Sequence, residues 1–542
     1  MTTVFYNGPI YTLDPALPKA QAIAIRDGRV VAIGTEGRVT AAVGSRAEGI
    51  NLRGRAVIPA LTDAHVHLLA HALRRREVNL NGVGEYEQAL VQVERAAAAL
   101  PAGEWLRGGG WDHVRWAGRW PNAADLDAVT PGRPAVLFRK DGHCAWLNGP
   151  ALAIAGVDAD TPDPVGGSIR RDTTGQPTGL LFENAIEMIG QHFPATTEED
   201  QLAAVRDAIR EAHSYGMAGM HIPPSMEPGA GALALRTVQT LRARGQLKLR
   251  SLIHLDYGTL DEAIALGLHS GLGDGWVRLG GVKIFADGTL GSETAELLRP
   301  YEGSRNLGLP TIATEELNAA VRKANAHGLA VIIHAIGDGA NRRVLDAIEG
   351  SGVRGQGSGD PLLNPEPRPL IPNRIEHCQL LDLADLPRFA QLGVVASMQP
   401  SHCTSDIELA DRLWGEERNA TAYAWKALLE SGATLAFGSD APVEPLNPWL
   451  GIHAAVTRQR PNGLPAGGWH PAQRLSVGEA LRAFTSGAAA CSGMTGQLGM
   501  LALGTLADLA VLSADPFTTP AAALHSITAE MTVLEGTIVW ER

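Results

Sequence analysis

"GGVKIFADG", residues 280–288, sets a single lysine, Lys283, inside an apolar run with the look of a buried β-strand. A buried ammonium is costly unless it is neutralised, paired or chemically altered, so this strand has to be read together with the rest of the chain. Seven further short apolar runs also end in polar residues: "AVIPALTDAHVH" (56–67), "GMAGMHIPP" (216–224), "LKLRSLIHLD" (247–256), "LAVIIHAIGD" (329–338), "NRIEHCQ" (373–379), "VVASMQP" (394–400) and "ATLAFGSDAPV" (433–443). Helical patterns fall between several of them, such as "EEDQLAAVRDAIREAHSYG" (198–216) and "EELNAAVRKANAHG" (315–328). Their apolar residues recur at i, i+3 and i+4, and each stops at a glycine. Strand and helix alternating eight times predict an α/β fold, a (β/α)8 barrel.

The flanks read differently. "AQAIAIRDGRVVAIG" (20–34) alternates and turns at Asp27-Gly28, and "GTLADLAVLS" (504–513) and "MTVLEGTIVWE" (531–541) behave alike. Short strands cannot bury a face alone, so both termini are expected to form one composite β-sandwich, 1–55 with 496–542. The barrel then takes 56–74 with 186–495. About 150 residues separate the first two runs, far more than one crossover helix needs, which makes 75–185 an insertion subdomain expected to cover the barrel mouth. The insertion holds the Trp-rich "GGGWDHVRWAGRW" (108–120) and a strand-and-turn pattern, "RPAVLFRKDGHCAWLN" (133–148). A loop-rich piece spans 351–372.

With 45% hydrophobic and 19% charged residues, the 542-residue chain has a globular composition. A formal net charge of -12 argues against a nucleic-acid partner, because polyanion binding needs clustered Lys and Arg. The four cysteines have no C-x-x-C spacing, and no run reaches membrane-span length. The expectation is a cytoplasmic protein acting on a small molecule, with no nucleic-acid or membrane partner. A homodimer is compatible with the sequence.

Functional residues of such a barrel sit at the carboxyl ends of its strands. His65 and His67 are two apart on a strand, so both imidazoles share a face and suit a divalent transition metal. Lys283, His334, His377 and Asp440 each close a later run. Singly, each histidine reads as well as a core residue donating to a carbonyl, and Asp440 as a helix cap; their joint occurrence favours a metal site. There a lysine that has taken up carbon dioxide becomes an anionic carbamate able to bridge two cations. The alternative is a Lys283 paired with an acid such as Asp287. Such a metal ion would activate a water, and Asp440, at the last strand end, would take its proton. Weaker candidates for substrate contact are Trp111, Asp112 and His143 in the insertion, with Asp287 and Asp338. The aromatic residues read equally well as the insertion's own core. His221 and His254 also end apolar runs and read chiefly as packing, with a supporting contact or an alternative metal ligand as the other readings; Glu183 reads as a minor polar contact and Cys378 as packing.

D-A-H-V-H (63–67), V-K-x-x-x-D-G (282–288), H-A-I-G-D (334–338), E-H-x-Q (376–379) and G-S-D-A-P-V (438–443) together resemble the amidohydrolase superfamily. More narrowly, they resemble its family 3 branch of YtcJ-like proteins, related to N-substituted formamide deformylases. "DGHCAWLNGPAL" (141–152), "TGLLFENA" (178–185) and "LGTLADLAVLSADP" (503–516) extend the likeness nearly end to end. The resemblance implies a distorted TIM barrel with one or two divalent ions, usually zinc. His65, His67 and Asp440 would hold one, His334 and His377 the other, and carboxylated Lys283 would bridge them. It further implies hydrolysis of an amide or N-formyl C–N bond. A deaminase, a cyclic-amide hydrolase and a catalytically silent ligand-binding barrel are the alternatives. Ala60 departs from the glycine usual after the proline, which concerns only the local turn.

Overall fold

The structure is a computed structural model and describes residues 2–44, 47–101, 103–113, 115–139, 144–193, 196–224, 230–352 and 369–542. Most of the loop-rich piece at 351–372, like His143, lies outside them. The chain divides into two compact units, residues 1–68 with 206–542, and residues 69–205.

Eight parallel strands order the first unit: β1 (Leu61–Asp63), β2 (Met217–Ile222), β3 (Arg250–Asp256), β4 (Val277–Phe285), β5 (Val331–Ala335), β6 (Arg374–His377), β7 (Val395–Met398) and β8 (Thr434–Phe437), paired in sequence order. Parallel strands buried on both faces read as continuous apolar runs, which is why β5, with all five residues buried, is legible as "VIIHA". Hydrogen bonds close the seam between β8 and β1. Ala64 N–H donates to Phe437 O (3.0 Å), Asp440 N–H to His65 O (2.7 Å) and His67 N–H to Ala441 O (2.9 Å). The Asp63 carboxylate reinforces that seam, accepting from His65 N–H, Ser439 N–H and the Ser439 hydroxyl (3.0, 3.0 and 2.5 Å). Gly438 is required there, since a Cβ would lie 2.5 Å from His65 N.

The run 56–67 is shared by two sheets. Val57–Pro59 pairs with Leu509–Leu512, whereas Leu61–Asp63 pairs with β2. Ala60 stands at the changeover, donating to Asp508 O (3.0 Å), and its φ lies outside the left-handed region, so a methyl group is tolerated there. Val57–Pro59 belongs to an eight-stranded sheet built from both chain ends, whose Phe5, Ile23, Leu509 and Val533 fill one apolar cluster. Two of its hairpins turn at Asp27-Gly28 and Glu535-Gly536, with φ of 50°, 75°, 49° and 73°. Positive φ at both central residues matches the right-handed strand twist. Arg250, at the start of β3, anchors this sheet to the barrel through a two-pronged buried contact with Asp508 (2.5 and 2.9 Å).

The second unit carries a six-stranded sheet in the order Gly167–Arg171, Pro177–Glu183, Cys144–Leu147, Ala135–Arg139, Leu106–Trp111, Val78–Asn79. Its core gathers Trp111, Trp116, Trp146 and Tyr86. Among the described residues, no helix is long and apolar enough to cross a membrane.

Candidate metal centre

All six strand-end candidates meet at the carboxyl mouth of the barrel. The ligand atoms of His65, His377 and Asp440 lie within 4.8 Å of one another. His67 Nε2 is 3.3 Å from Asp440 Oδ1 and His65 Nε2 is 3.6 Å from it. The His334 and His377 ring centroids are 4.6 Å apart. Two of these residues have left-handed backbones, His377 with φ 75° and Asp440 with φ 59°. For residues with a side chain this costs roughly 1–3 kcal/mol each and is characteristic of functional sites.

The hydrogen bonds decide which imidazole nitrogen stays available. His65 Nδ1–H donates to Glu376 Oε2 (2.6 Å), His377 Nδ1–H to Gln399 Oε1 (2.8 Å) and His334 Nε2–H to the Gly288 carbonyl (3.0 Å). The lone pairs left over are Nε2 of His65 and His377 and Nδ1 of His334. Carboxylate or carbonyl partners on the far nitrogen are what orient metal-ligating histidines. His67 Nδ1 and Asp440 Oδ1 are buried without a hydrogen bond. Imidazoles and a carboxylate with unspent lone pairs around one small volume fit a divalent transition metal.

Burial pulls the His334 imidazole down to about 3, with the Lys283 charge adding to the effect, so it stays neutral and able to bind a cation. Burial also lowers the Lys283 amine to about 8 against the smaller opposing pull of Glu376 and Asp440. Asp287 does not pair with it. This carboxylate accepts from the N–H groups of Ile336, Gly337 and Glu296 (3.0, 2.9 and 2.9 Å), tying the loops after β4 and β5 together, and burial raises it to about 7. Burial likewise works to raise Asp440, but a hydrogen bond from His402 and the neighbouring His65 outweigh it and hold the carboxyl well below its usual range.

Four partners fall outside the candidates named from the sequence, although Glu376 opens the E-H-x-Q motif (376–379). His402, after β7, places Nε2 3.2 Å from Asp440 Oδ2 and Nδ1 3.7 Å from Glu444 Oε1. Burial pulls this imidazole down, yet the two carboxylates raise it to about 10. Gln399 orients His377, and Glu376 orients His65. Arg374, fully buried below them, pairs with Glu376 Oε1 through Nε (2.6 Å). Its other nitrogens lie 3.0 Å from His221 Nδ1 and 2.8 Å from His254 Nε2. His221 and His254 are thus polar supports rather than packing. Gly281 N–H donates to His254 Nδ1 (3.0 Å); a Cβ on Gly280 would lie 2.0 Å from that nitrogen and one on Gly281 2.4 Å from Ala330 O, which explains the two glycines before Val282.

The remaining candidates are held by contacts of their own. Trp111 is in the core of the second unit, where its indole N–H donates to Leu137 O (2.7 Å), and Asp112 is buried in that unit. Asp338 opens the helix Asp338–Gly350 and accepts from Leu298 N–H (2.9 Å). Glu183 ends a strand of the second unit. Cys378 is buried, its thiol pushed well up by burial.

The model of the amidohydrolase family matches residues 48–540. The chain is 32% identical over 546 residues to the putative amidohydrolase YtcJ of Bacillus subtilis, covering 100% of both chains. It is 27% identical over 555 residues to the N-substituted formamide deformylase of Arthrobacter pascens, covering 99% of this chain and 98% of that one. Among solved structures, an uncharacterized metal-dependent hydrolase from Pyrococcus horikoshii superposes with a TM-score of 0.75 at 29% identity, covering 96% of this chain and 99% of that one.

Proposed function

The chain belongs to the amidohydrolase family, and on that premise we propose that it hydrolyses the C–N bond of a small amide or N-formyl compound. One or two divalent ions, zinc by the chemistry of the donor set, would be held by His65, His67, His334, His377 and Asp440, with Lys283 bridging as a carbamate. The observation that carries the reading is the convergence of His65 and His377 on the Asp440 carboxylate, with His334 against His377, each of the three buried histidines having one nitrogen committed to a neighbour and the other left over. The deformylase relative supports the choice of bond.

When bound, such an ion lowers the pKa of an attacking water towards neutrality and polarises a carbonyl. The side chains do the rest. Asp440, ionised by its contact with His402, accepts the proton that the attacking water releases. As the C–N bond breaks, the same carboxyl returns that proton to the leaving nitrogen, giving an acid and an amine. Glu376 keeps the His65 hydrogen on Nδ1, and Gln399 does so for His377. Lys283, with its amine shifted towards neutrality, offers the free base that would attack carbon dioxide; the nitrogen forms the N–C bond of a carbamate and gives up a proton.

The test is turnover of a panel of N-formyl and N-acyl amines, with metal content measured before and after chelation. Release of an amine and a carboxylate, lost on chelation and restored by zinc, supports the assignment. Ammonia release from a heterocycle without a carboxylate product, or turnover indifferent to chelation, contradicts it.

A further inference from the structure

Strand β7 lies between β6 and β8, whose ends carry His377 and Asp440, and supplies no candidate ligand of its own. The chain leaving it nevertheless reaches both neighbours. Gln399 takes the His377 hydrogen, and His402, three residues on in the short helix Pro400–Ser405, meets Asp440. The His402 ring centroid is 6.0 Å from that of His377, close enough to be read as one more metal ligand. Its nitrogens argue otherwise. Nε2 is 3.2 Å from Asp440 Oδ2, and Nδ1 is 3.7 Å from Glu444 Oε1. Each faces a carboxylate, so no nitrogen is left over for a cation, in contrast to His65, His334 and His377.

The two Asp440 oxygens are thereby made unequal. Oδ2 accepts from His402 Nε2–H, whereas Oδ1 has no hydrogen bond and lies 3.3 Å from His67 Nε2 and 3.6 Å from His65 Nε2. Rotation of a carboxylate about its last bond is broad and roughly two-fold, so without a fixed donor the oxygens would exchange places. The donor here is itself fixed. Asp440 and Glu444 belong to one turn, held by Val443 N–H on Asp440 O (2.8 Å), and the His402 ring is set between them. The helix carrying it is tied down by Arg460 Nε–H on Thr404 O and by Asp406 N–H on His402 O (both 2.9 Å). We propose that His402 is a positioning residue that holds the Asp440 carboxylate in one rotation, with Oδ1 towards the ligand nitrogens and Oδ2, which keeps a second lone pair, as the oxygen that takes the proton. Its part in turnover rests on the hydrolase reading above; its control of the carboxylate rotation does not.

Crystal structures of the wild type and of His402→Leu test the rotation whatever the substrate. A single Asp440 orientation with Oδ2 on His402 is expected in the wild type, and in His402→Leu a carboxylate turned by more than about 30° or split between two conformers. The same single orientation in both overturns the proposal. With the panel member that the wild type turns over, kcat is expected to fall about 10–100-fold in His402→Leu with KM little changed and zinc content retained. His402→Gln, whose side-chain amide brings an N–H towards the same oxygen, is expected to recover most of that loss. Wild-type kcat in His402→Leu, equal losses in the two variants, a loss confined to KM, or zinc lost with the ring overturns the positioning role. A wild type that turns over no panel member counts against the hydrolase reading alone, and the pair of crystal structures still decides the rotation.

Discussion

The histidines at the mouth of the barrel and the pair beneath it, His221 and His254, are the same side chain under closely similar burial, yet their lone pairs are spent differently. At the mouth, Glu376, Gln399 and Gly288 each take one ring hydrogen and leave the opposite nitrogen pointing into a shared volume. Below, Arg374 reaches both rings, and Gly281 occupies the second nitrogen of His254. A buried cation beside a histidine removes it as a metal ligand, whereas a carboxylate or carbonyl prepares it as one. Arg374 and Glu376 are two residues apart on one strand, so β6 divides the two environments.

Substitutions on the two sides of that divide should therefore fail differently. Asp440→Asn has the largest expected effect: kcat/KM falls by about 10²–10⁴-fold while much of the metal stays bound. Near wild-type turnover would remove Asp440 from proton transfer. Glu376→Gln touches both sides. It weakens metal affinity by about 10–100-fold in a chelator competition, and it strips Arg374 of its counter-charge at a cost of about 3–5 kcal/mol in denaturant unfolding; unchanged values for both would break the proposed link between the clusters.

A third setting comes from His213, buried in the helix Glu198–Ser214, with Nε2–H donating to Lys248 O (2.7 Å). Burial lowers its pKa from 6.5 to about 4. Between those values the unfolded chain holds a proton that the folded chain lacks, so stability rises with pH through the window and is lost on acidification from 6.5 to 4. The loss is about 3 kcal/mol and levels off below pH 4, where both states are protonated. His213→Gln should flatten this slope in melting experiments run across the window, and an undiminished slope would place the acid sensitivity elsewhere. The smallest effect belongs to the lower cluster. His254→Leu leaves one Arg374 nitrogen unpaired at a cost of about 1–3 kcal/mol with metal stoichiometry unchanged; loss of metal would erase the distinction between mouth and interior.

The sequence made the strand-end residues legible because a parallel barrel turns each strand into a short apolar word ending in its functional residue. Lys283 within "GGVKIFADG" and the histidines of "DAHVH" are visible for that reason. Their supports are not. Glu376 and His65 are 311 positions apart, and Arg374 meets His221 and His254 across 153 and 120 residues, so no local period or spacing joins them. Asp287 reads as the natural partner of Lys283 only until backbone N–H groups are seen to claim it. Ala60 is equally opaque, since the change of sheet inside "AVIPALTDAHVH" is set by the partners Leu509–Leu512 and β2, neither of which lies nearby in sequence.

The central claim is that the upper histidines hold metal and the lower pair do not. Anomalous diffraction from a crystal of the wild-type protein, collected at the absorption edge of whichever metal elemental analysis finds, tests it most directly. One or two peaks within bonding distance of His65 Nε2, His377 Nε2 and Asp440 are predicted. A crystal with no peak at the mouth, or with its ion between His221 and His254, would contradict the account.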